Sequence, residues 1–87
     1  MEIEFTDKAE SQLLYWKQTG NQAILKKIRN LLEFVLSTPY TGIGKPEPLK
    51  HHLSGYWSRR ITDEHRLVYA VKSDKIIVVQ CRFHYEK

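Results

Sequence analysis

The stretch Gly44–Val71 reads GKPEPLKHHLSGYWSRRITDEHRLVYAV and contains both β-forming residues and most of the chemically active side chains. It begins with a carboxylate, Glu47, that is flanked by two prolines, and it continues with lysine, histidines and arginines. A second cluster near the end of the chain, Arg82–Tyr85, reads RFHY. Carboxylate, guanidinium, imidazole and phenol groups are thus concentrated in the second half of the sequence, in excess of what a small core needs.

Length and composition predict one small domain spanning residues 1–87, with 41% hydrophobic and 28% charged residues. We expect a soluble cytoplasmic protein without membrane association, because there is no long apolar run and no signal-like start. The lone Cys81 excludes an internal disulfide and offers no zinc-ligand set, so no cofactor is expected. The net charge of +4 weakly favours a polyanionic partner.

Apolar periodicity predicts a strand followed by two helices in the first half of the chain. Residues 1–5 alternate apolar and acidic side chains, as in a half-buried strand. Asp7 is expected to cap a first helix that ends at Gly20, and Asn21 to cap a second helix. The second helix should stop before Pro39, because proline disfavours helix in the residue that precedes it. The two helices form a predicted αα-hairpin.

The second half of the chain is expected to form a sheet. Residues Pro39–Pro48 hold all three prolines and are predicted to be an ordered loop. Strands are expected near Tyr56–Ile61, Arg66–Val71 and Ile76–Phe83, separated by short polar turns. The order β-α-α-β-β-β predicts an α+β fold, in which the N-terminal αα-hairpin packs on a mainly antiparallel sheet.

The register of the first hairpin follows from which side chains can be buried. An odd-length loop centred on Asp63 pairs Arg60 with Arg66 and points Trp57 and Ile61 towards the core. Both arginines then lie on the opposite face of the sheet.

The second hairpin allows two registers. An odd-length loop centred on Asp74 pairs Arg66 with Arg82, whereas a two-residue Ser73–Asp74 turn pairs Arg66 with Cys81 and buries the guanidinium, which is costly. We therefore predict the odd loop. The residues expected to face the core from the last strand are Ile77, Val79, Cys81 and Phe83. The residues expected on the opposite face of the sheet are Ser58, Arg60, Arg66, Arg82 and His84.

Such a set of groups suits cleavage of RNA by its own 2′-hydroxyl. Glu47 could accept the hydroxyl proton, Arg66 could stabilise the pentacoordinate phosphate, and His84 could donate a proton to the leaving 5′-oxygen. This reaction needs no metal and leaves a 2′,3′-cyclic phosphate or 3′-phosphate and a 5′-hydroxyl. Each residue taken alone also has an ordinary interpretation as a solvated surface side chain, and His51 and His52 are interpreted as loop histidines.

The run GKPEPLKHHLSGYWSRRITDEHRLVYAV, together with the ending CRFHY, resembles the YoeB-type toxins of the RelE/ParE superfamily. The resemblance covers nearly the whole chain and implies a fold like that of small microbial ribonucleases. It also implies cleavage of mRNA in the ribosomal A site, contact with ribosomal RNA, and neutralisation by a YefM-like antitoxin.

Carried over to this sequence, the resemblance assigns the general base to Glu47 and the phosphate-stabilising arginine to Arg66. It assigns the general acid to His84 and the base-positioning tyrosine to Tyr85. The positions expected to support the site or bind RNA are Lys50, Arg59, Arg60, Glu64 and Arg82.

Two other functions remain open at this point. One is a non-enzymatic toxin on the same fold that poisons DNA gyrase, as ParE-like proteins do, and the other is a basic ribosome-binding module. The combined carboxylate, arginine and histidine set favours the nuclease. The sequence leaves open the codon preference and whether the free protein is a homodimer.

Overall fold

Two helices lie against one face of a five-stranded sheet in the computed structural model, which describes residues 1–84. The elements are β1 (Glu2–Phe5), α1 (Asp7–Gln18), α2 (Gln22–Ser37), β2 (Glu47–Pro48), β3 (Tyr56–Arg60), β4 (Arg66–Val71) and β5 (Lys75–Gln80). A single 3₁₀ turn, His51–Leu53, follows β2. The predicted α+β class is confirmed.

Side-chain caps set the helix starts. The Asn21 side chain accepts a hydrogen bond from Ile24 N at 3.2 Å, which confirms the predicted cap of α2. The cap of α1 is Thr6, whose Oγ1 accepts from Ala9 N at 3.2 Å, one residue before the prediction. Asp7 instead lies in the first turn, where its charge complements the helix dipole. As predicted, α2 stops before Pro39: its last residue is Ser37, and Thr38 is its C-cap.

The strand order is β1-β5-β4-β3-β2, with β1 parallel to β5 and the other neighbours antiparallel. The prediction that Pro39–Pro48 is entirely loop is wrong at its end, where Glu47 pairs with Ser58 and Pro48 with Trp57. Proline is tolerated there because β2 is an edge strand, in which the missing N–H need not serve a neighbour.

The β3–β4 hairpin has the predicted register. Arg60 pairs with Arg66, and the turn between them is closed by Thr62, whose Oγ1 accepts hydrogen bonds from the backbone of Glu64 at 3.2 Å and of His65 at 3.1 Å. This pairing places both arginine side chains on the same face of the sheet.

The β4–β5 hairpin differs from the prediction near its turn. Val71 pairs with Ile76 and Ala70 with Ile77, the register of the two-residue turn that the sequence analysis rejected. A register shift between Val68 and Tyr69 follows, so that Val68 pairs with Gln80, as the predicted register requires. A bulge in β5 thus reconciles a tight turn with the predicted pairing further along the strand.

The bulge changes which β5 side chains face the helices. Ile76, Val78 and Cys81 are fully buried in the core, whereas Ile77 and Val79 are only half-buried. The prediction that Ile77 and Val79 face the core is therefore wrong. It is also wrong for Phe83, which lies beyond the end of β5 and is 53% exposed. One extra residue in a strand reverses the side-chain alternation beyond it, which is why Cys81 still faces inward.

The core lies between the helices and this inner face of the sheet. Its buried members are Ala9, Trp16, Ile24, Ile28, Leu31, Val35, Ile61, Leu67, Tyr69, Ile76, Val78 and Cys81. On the opposite face of the sheet, Ser58, Val68 and Ala70 are also buried, whereas Glu47 and Arg60 are exposed. Within residues 1–84, no helix has the length and apolar character needed to cross a membrane.

Candidate active site

Strand register brings the predicted base onto the sheet face opposite the helices, here called the open face. Glu47 pairs with Ser58, Ser58 with Val68, and Val68 with Gln80, so these four residues form one row across four strands. Cross-strand partners share a face, so the Glu47 carboxylate belongs to the same surface as the centre of the sheet. The two-residue edge strand β2 thereby positions a carboxylate that sequence analysis placed on a loop.

The two paired arginines form the next row of the open face. Arg60 and Arg66 each lie two residues along their strand from the Glu47 row. Standard strand spacings put the Cα atoms of Glu47 and Arg66 about 12 Å apart. This separation leaves room for a phosphodiester between the two side chains. Arg60 is exposed, whereas Arg66 is only 7% exposed.

The guanidinium of Arg66 is anchored to the β3–β4 turn. Its Nη1 donates to the carbonyl oxygens of Thr62 at 2.8 Å, of Asp63 at 3.1 Å and of His65 at 3.1 Å. These contacts hold a permanent positive charge in a fixed orientation beside the β3–β4 turn, at the start of the central strand. A preorganised cation of this kind can stabilise charge that develops on a bound phosphate.

The end of the chain attaches the segment that carries His84 to the backbone of this arginine, although the cleft that His84 lines includes neither Arg66 nor Glu47. Beyond β5, Phe83 O accepts a hydrogen bond from Arg66 N at 3.0 Å, which places the following residue, His84, beside the open face. His84 is exposed and lines a cleft of about 660 Å³ together with His52, Tyr56 and Gln80 among others. Tyr85, the predicted base-positioning residue, lies outside the described residues.

Backbone strain is concentrated around the predicted site. Among residues 1–84, three non-glycine residues have left-handed φ angles: Lys45 (51°), His51 (58°) and Phe83 (68°). Each lies within two residues of a predicted site residue, namely Glu47, Lys50 or His84. Bulky residues persist in this conformation only where the surrounding structure holds them, and such positions cluster at functional sites.

Two predicted supporting residues are on loops beside the open face. Lys50 is exposed and lies directly before the 3₁₀ turn, and Glu64 is exposed in the β3–β4 turn that also holds Arg66. Both are close in sequence to a positioned site residue.

Arg59 requires a correction, because it is buried on the helix side of the sheet and is not placed to bind RNA. Its Nε donates to Tyr69 Oη at 3.1 Å, its Nη1 to Ile43 O at 3.0 Å, and its Nη2 to Thr41 O at 2.8 Å and also to Thr38 O. Strand alternation already carried this signal, since Arg59 lies between the inward residues Trp57 and Ile61.

The Arg59 network fixes the loop that leads to Glu47. Tyr69 Oη donates to Pro39 O at 2.6 Å, and burial raises the pKa of Tyr69 despite the opposing effect of the Arg59 hydrogen bond. Gly44 closes the same loop with a φ of 82°, and a Cβ there would lie 2.8 Å from Leu31 Cδ2. Glycine is therefore required where this loop crosses α2.

Arg82 also requires a correction, because the strand ends before it and its side chain turns to the helix side. Its guanidinium carbon lies 3.4 Å from the ring centre of Tyr15 and 4.3 Å from that of Phe83. This stacking on aromatic rings is favourable for a guanidinium. Arg82 therefore does not pair with Arg66 on the open face, and the backbone of Phe83 occupies that place.

Two other kinds of candidate site are a reactive thiol and a cluster of metal-ligating side chains. Burial raises the pKa of the Cys81 thiol to about 12, so a thiolate is not present at neutral pH. Within residues 1–84, no group of three or more histidine, cysteine, aspartate or glutamate side chains is placed to hold a metal ion.

Comparison with known proteins places the chain among bacterial toxins. The Escherichia coli (strain K12) toxin YoeB is 51% identical over 85 residues, which cover 98% of this chain and all of the relative. The structure of a YoeB/ParE toxin from Agrobacterium tumefaciens is 44% identical, with a TM-score of 0.94 over 98% of this chain and 100% of that one.

A YoeB from Staphylococcus aureus has been solved both as a dimer, at 42% identity and a TM-score of 0.90, and in a YoeB-YefM complex, at 43% identity and a TM-score of 0.89. In each case, 98% of both chains is covered. The model of the YoeB-like toxins of bacterial type II toxin-antitoxin systems matches residues 5–85. The chain therefore belongs to the YoeB-like toxin family.

Proposed function

We propose that this chain is a ribosome-dependent endoribonuclease that cuts mRNA in the A site and so inhibits translation. The observation that carries the proposal is the strand register. It puts Glu47, Arg60 and Arg66 on one face, with His84 attached beside Arg66. A base, a fixed cation and an acid around one open surface are the groups that transfer of a phosphodiester to its own 2′-oxygen requires.

In the proposed mechanism, the Glu47 carboxylate accepts the proton of the 2′-hydroxyl, and the 2′-oxygen forms a bond to the adjacent phosphorus. Arg66 stabilises the negative charge that accumulates on the phosphate oxygens. The bond between phosphorus and the 5′-oxygen then breaks as protonated His84 donates a proton to that oxygen. The products are a 2′,3′-cyclic phosphate, which water can open to a 3′-phosphate, and a 5′-hydroxyl.

Arg60, Lys50 and Glu64 have supporting roles in this proposal. Arg60 and Lys50 would neutralise phosphates on either side of the bond that is cut, because both are exposed near the open face. Glu64 would orient the basic side chains from the β3–β4 turn. Tyr85 is proposed to stack on a base of the mRNA and position it, an interaction of the type that contributes about 1–3 kcal/mol per base.

The proposal is tested by Glu47→Gln, which keeps the size of the side chain and removes the base. Cleavage of mRNA on purified ribosomes, measured as new 5′-hydroxyl ends, should fall by about 100-fold or more. Glu33→Gln, the same change at an exposed position of α2, serves as the control and should cut as the wild type does.

The alternatives give different results in this assay. A ribosome-binding module without catalysis would inhibit translation equally as wild type and as Glu47→Gln, with no new RNA ends from either. A gyrase poison would leave mRNA intact and trap gyrase on DNA. Either result would contradict the nuclease proposal.

The partners proposed for the chain follow from the Staphylococcus aureus relative, which has been solved with YefM and as a dimer. We propose that a YefM-like antitoxin covers the open face through an acidic segment, which the net charge of +4 and the exposed Arg60 would favour. Cleavage should stop when the antitoxin saturates the toxin, and continued cutting by the complex would refute this arrangement. The free chain is proposed to form a homodimer, and its site of action is the cytoplasm, where ribosomes translate.

A further inference from the structure

The segment that carries His84 is held by side chains from outside its own strand. Cys81 N donates to Gln12 Oε1 at 2.8 Å, and Trp16 Nε1 donates to Cys81 O at 2.9 Å. Helix α1 thus fixes where the chain leaves β5. Cys81, the residue that these bonds hold, lies two residues before Phe83. Another contact must therefore set the backbone direction from Phe83 to His84.

Phe83, the residue that precedes His84, has an unfavourable backbone conformation. Its φ of 68° is left-handed, which is costly for a bulky side chain, and its ring is more than half exposed and contributes little burial. Hydrogen bonds to its backbone hold it, together with the Arg82 guanidinium, whose carbon lies 4.3 Å from the ring centre. Phe83 O accepts from Arg66 N and from Gln80 Nε2, both at 3.0 Å, and Phe83 N donates to the imidazole Nδ1 of His65 at 2.8 Å.

The hydrogen bond from Phe83 N determines which ring nitrogen of the neutral His65 imidazole carries the proton. A backbone N–H can only donate, so Nδ1 is the acceptor and the ring proton of the neutral imidazole is on Nε2. The ring is oriented by an edge-to-face contact with Trp16, with centroids 4.8 Å apart and planes at 79°. His65 is therefore fixed by an aromatic neighbour and by a backbone donor at the same time.

The β3–β4 turn contacts both the proposed phosphate-stabilising arginine and the segment that carries the proposed acid. The carbonyl oxygen of His65 accepts from Arg66 Nη1 at 3.1 Å, while its side chain holds Phe83, the residue before His84. A displacement of this turn would move the phosphate-stabilising arginine and the proposed acid together. Misplacement of reacting groups by about 1 Å costs on the order of 100-fold in rate.

We propose that His65 is a positioning residue, whose unprotonated Nδ1 holds Phe83 in its left-handed conformation and thereby directs His84 into the cleft. This inference deepens the proposed nuclease function and rests on it. His65 touches neither RNA nor the reacting atoms in this scheme. Its contribution is the direction in which His84 enters the site.

The matched pair His65→Asn and His65→Gln tests the proposal, alongside His65→Ala. Asparagine places its amide oxygen where Nδ1 accepts the bond, whereas glutamine carries its acceptor one bond further out. In single-turnover cleavage on ribosomes, alanine and glutamine should lower the rate by about 10- to 100-fold at saturating ribosome concentration, with binding unchanged. Asparagine should remain within about threefold of the wild type.

Hydrogen exchange and NMR supply a readout that does not depend on cleavage. The Phe83 amide proton should exchange about tenfold faster in the alanine and glutamine variants than in the wild type and the asparagine variant. In the wild type, His65 Nδ1 should show the nitrogen resonance of an unprotonated ring nitrogen and a coupling across the hydrogen bond to the Phe83 amide.

A protonated Nδ1 in the folded wild type would overturn the proposal even if every substituted protein were unstable. Among folded proteins, Phe83 exchange in the alanine and glutamine variants equal to that of the wild type would also overturn it. Equal cleavage by the asparagine and glutamine variants of an active enzyme would also overturn it. A wild type that cuts no mRNA would show separately that the proposed nuclease function is wrong. The positioning role of His65 in cleavage would then be wrong as well.

Discussion

Replacing Arg66 by alanine should reduce ribosome-dependent mRNA cleavage by about 100- to 1,000-fold, the cost of removing one group that stabilises transition-state charge. The guanidinium is nearly buried and already oriented by three carbonyl oxygens of the β3–β4 turn, so its charge needs no reorganisation when phosphate binds. Arg66→Lys should recover only part of this loss, because a single ammonium group cannot both hold the turn and face the phosphate.

The appropriate control for Arg66→Ala is Lys72→Ala, which removes the same charge at an exposed position in the β4–β5 turn. This variant should cut mRNA within about twofold of the wild type, because surface changes away from the site have small effects. Circular dichroism must show Arg66→Ala to be folded at the assay temperature. A folded Arg66→Ala protein with near-normal cleavage would remove Arg66 from the mechanism.

Replacing the neighbouring Arg59 by alanine should act on stability, with a loss of about 3–5 kcal/mol in the free energy of unfolding. The substitution removes four hydrogen bonds and leaves a fully buried cavity beside the hydroxyl of Tyr69 and the carbonyl oxygens of the loop after α2. Each unsatisfied buried polar group costs about 1–3 kcal/mol. The melting temperature should fall by more than about 10 °C for a domain of this size.

The adjacent Arg60 offers a matched control for this experiment, since Arg60→Ala removes the same side chain from the exposed face of the same strand. Its stability should change by about 0.5 kcal/mol or less. Thermal unfolding of both variants, followed by circular dichroism, separates the two roles. Equal melting temperatures would contradict the view that Arg59 anchors the loop that leads to Glu47.

These two arginines show what the sequence could predict about the site. The pairing of Arg60 with Arg66 followed from keeping charges out of the core, and the structure confirms it. The same alternation places Arg59 inward, but a buried arginine is rare enough that surface exposure was assumed. Only the loop carbonyls, which come from more than fifteen residues away, make its burial favourable.

The end of the chain was predicted less well, for reasons of geometry. The run IIVVQC is apolar on both faces, so its pattern cannot show where a bulge reverses the alternation. The bulge restores the predicted pairing at Val68 and Gln80, but β5 then ends, and Arg82, which the pattern predicts on the open face, stacks on Tyr15 instead. The hydrogen bond between His65 and Phe83 was not predicted either, because the two residues are eighteen positions apart and nothing in the local sequence marks the contact.

The helices and their connection were predicted more accurately because their signals are local. Asn21 caps α2 and proline follows its end, and both features depend on residues within a few positions of the helix. The short strand β2 has no such local signal. It exists because β3 offers it a partner, and that pairing turns Glu47 from a loop residue into part of the sheet.

The central claim is that the RNA supplies its own nucleophile and that Glu47, Arg66 and His84 act on it. The most direct measurement uses an mRNA with a single 2′-deoxynucleotide on the 5′ side of the bond that is cut, bound to ribosomes with the wild-type protein. The account predicts no cleavage of that bond, and normal cleavage when the same substitution lies one codon upstream. Cleavage of the 2′-deoxy bond at the normal rate would contradict the account.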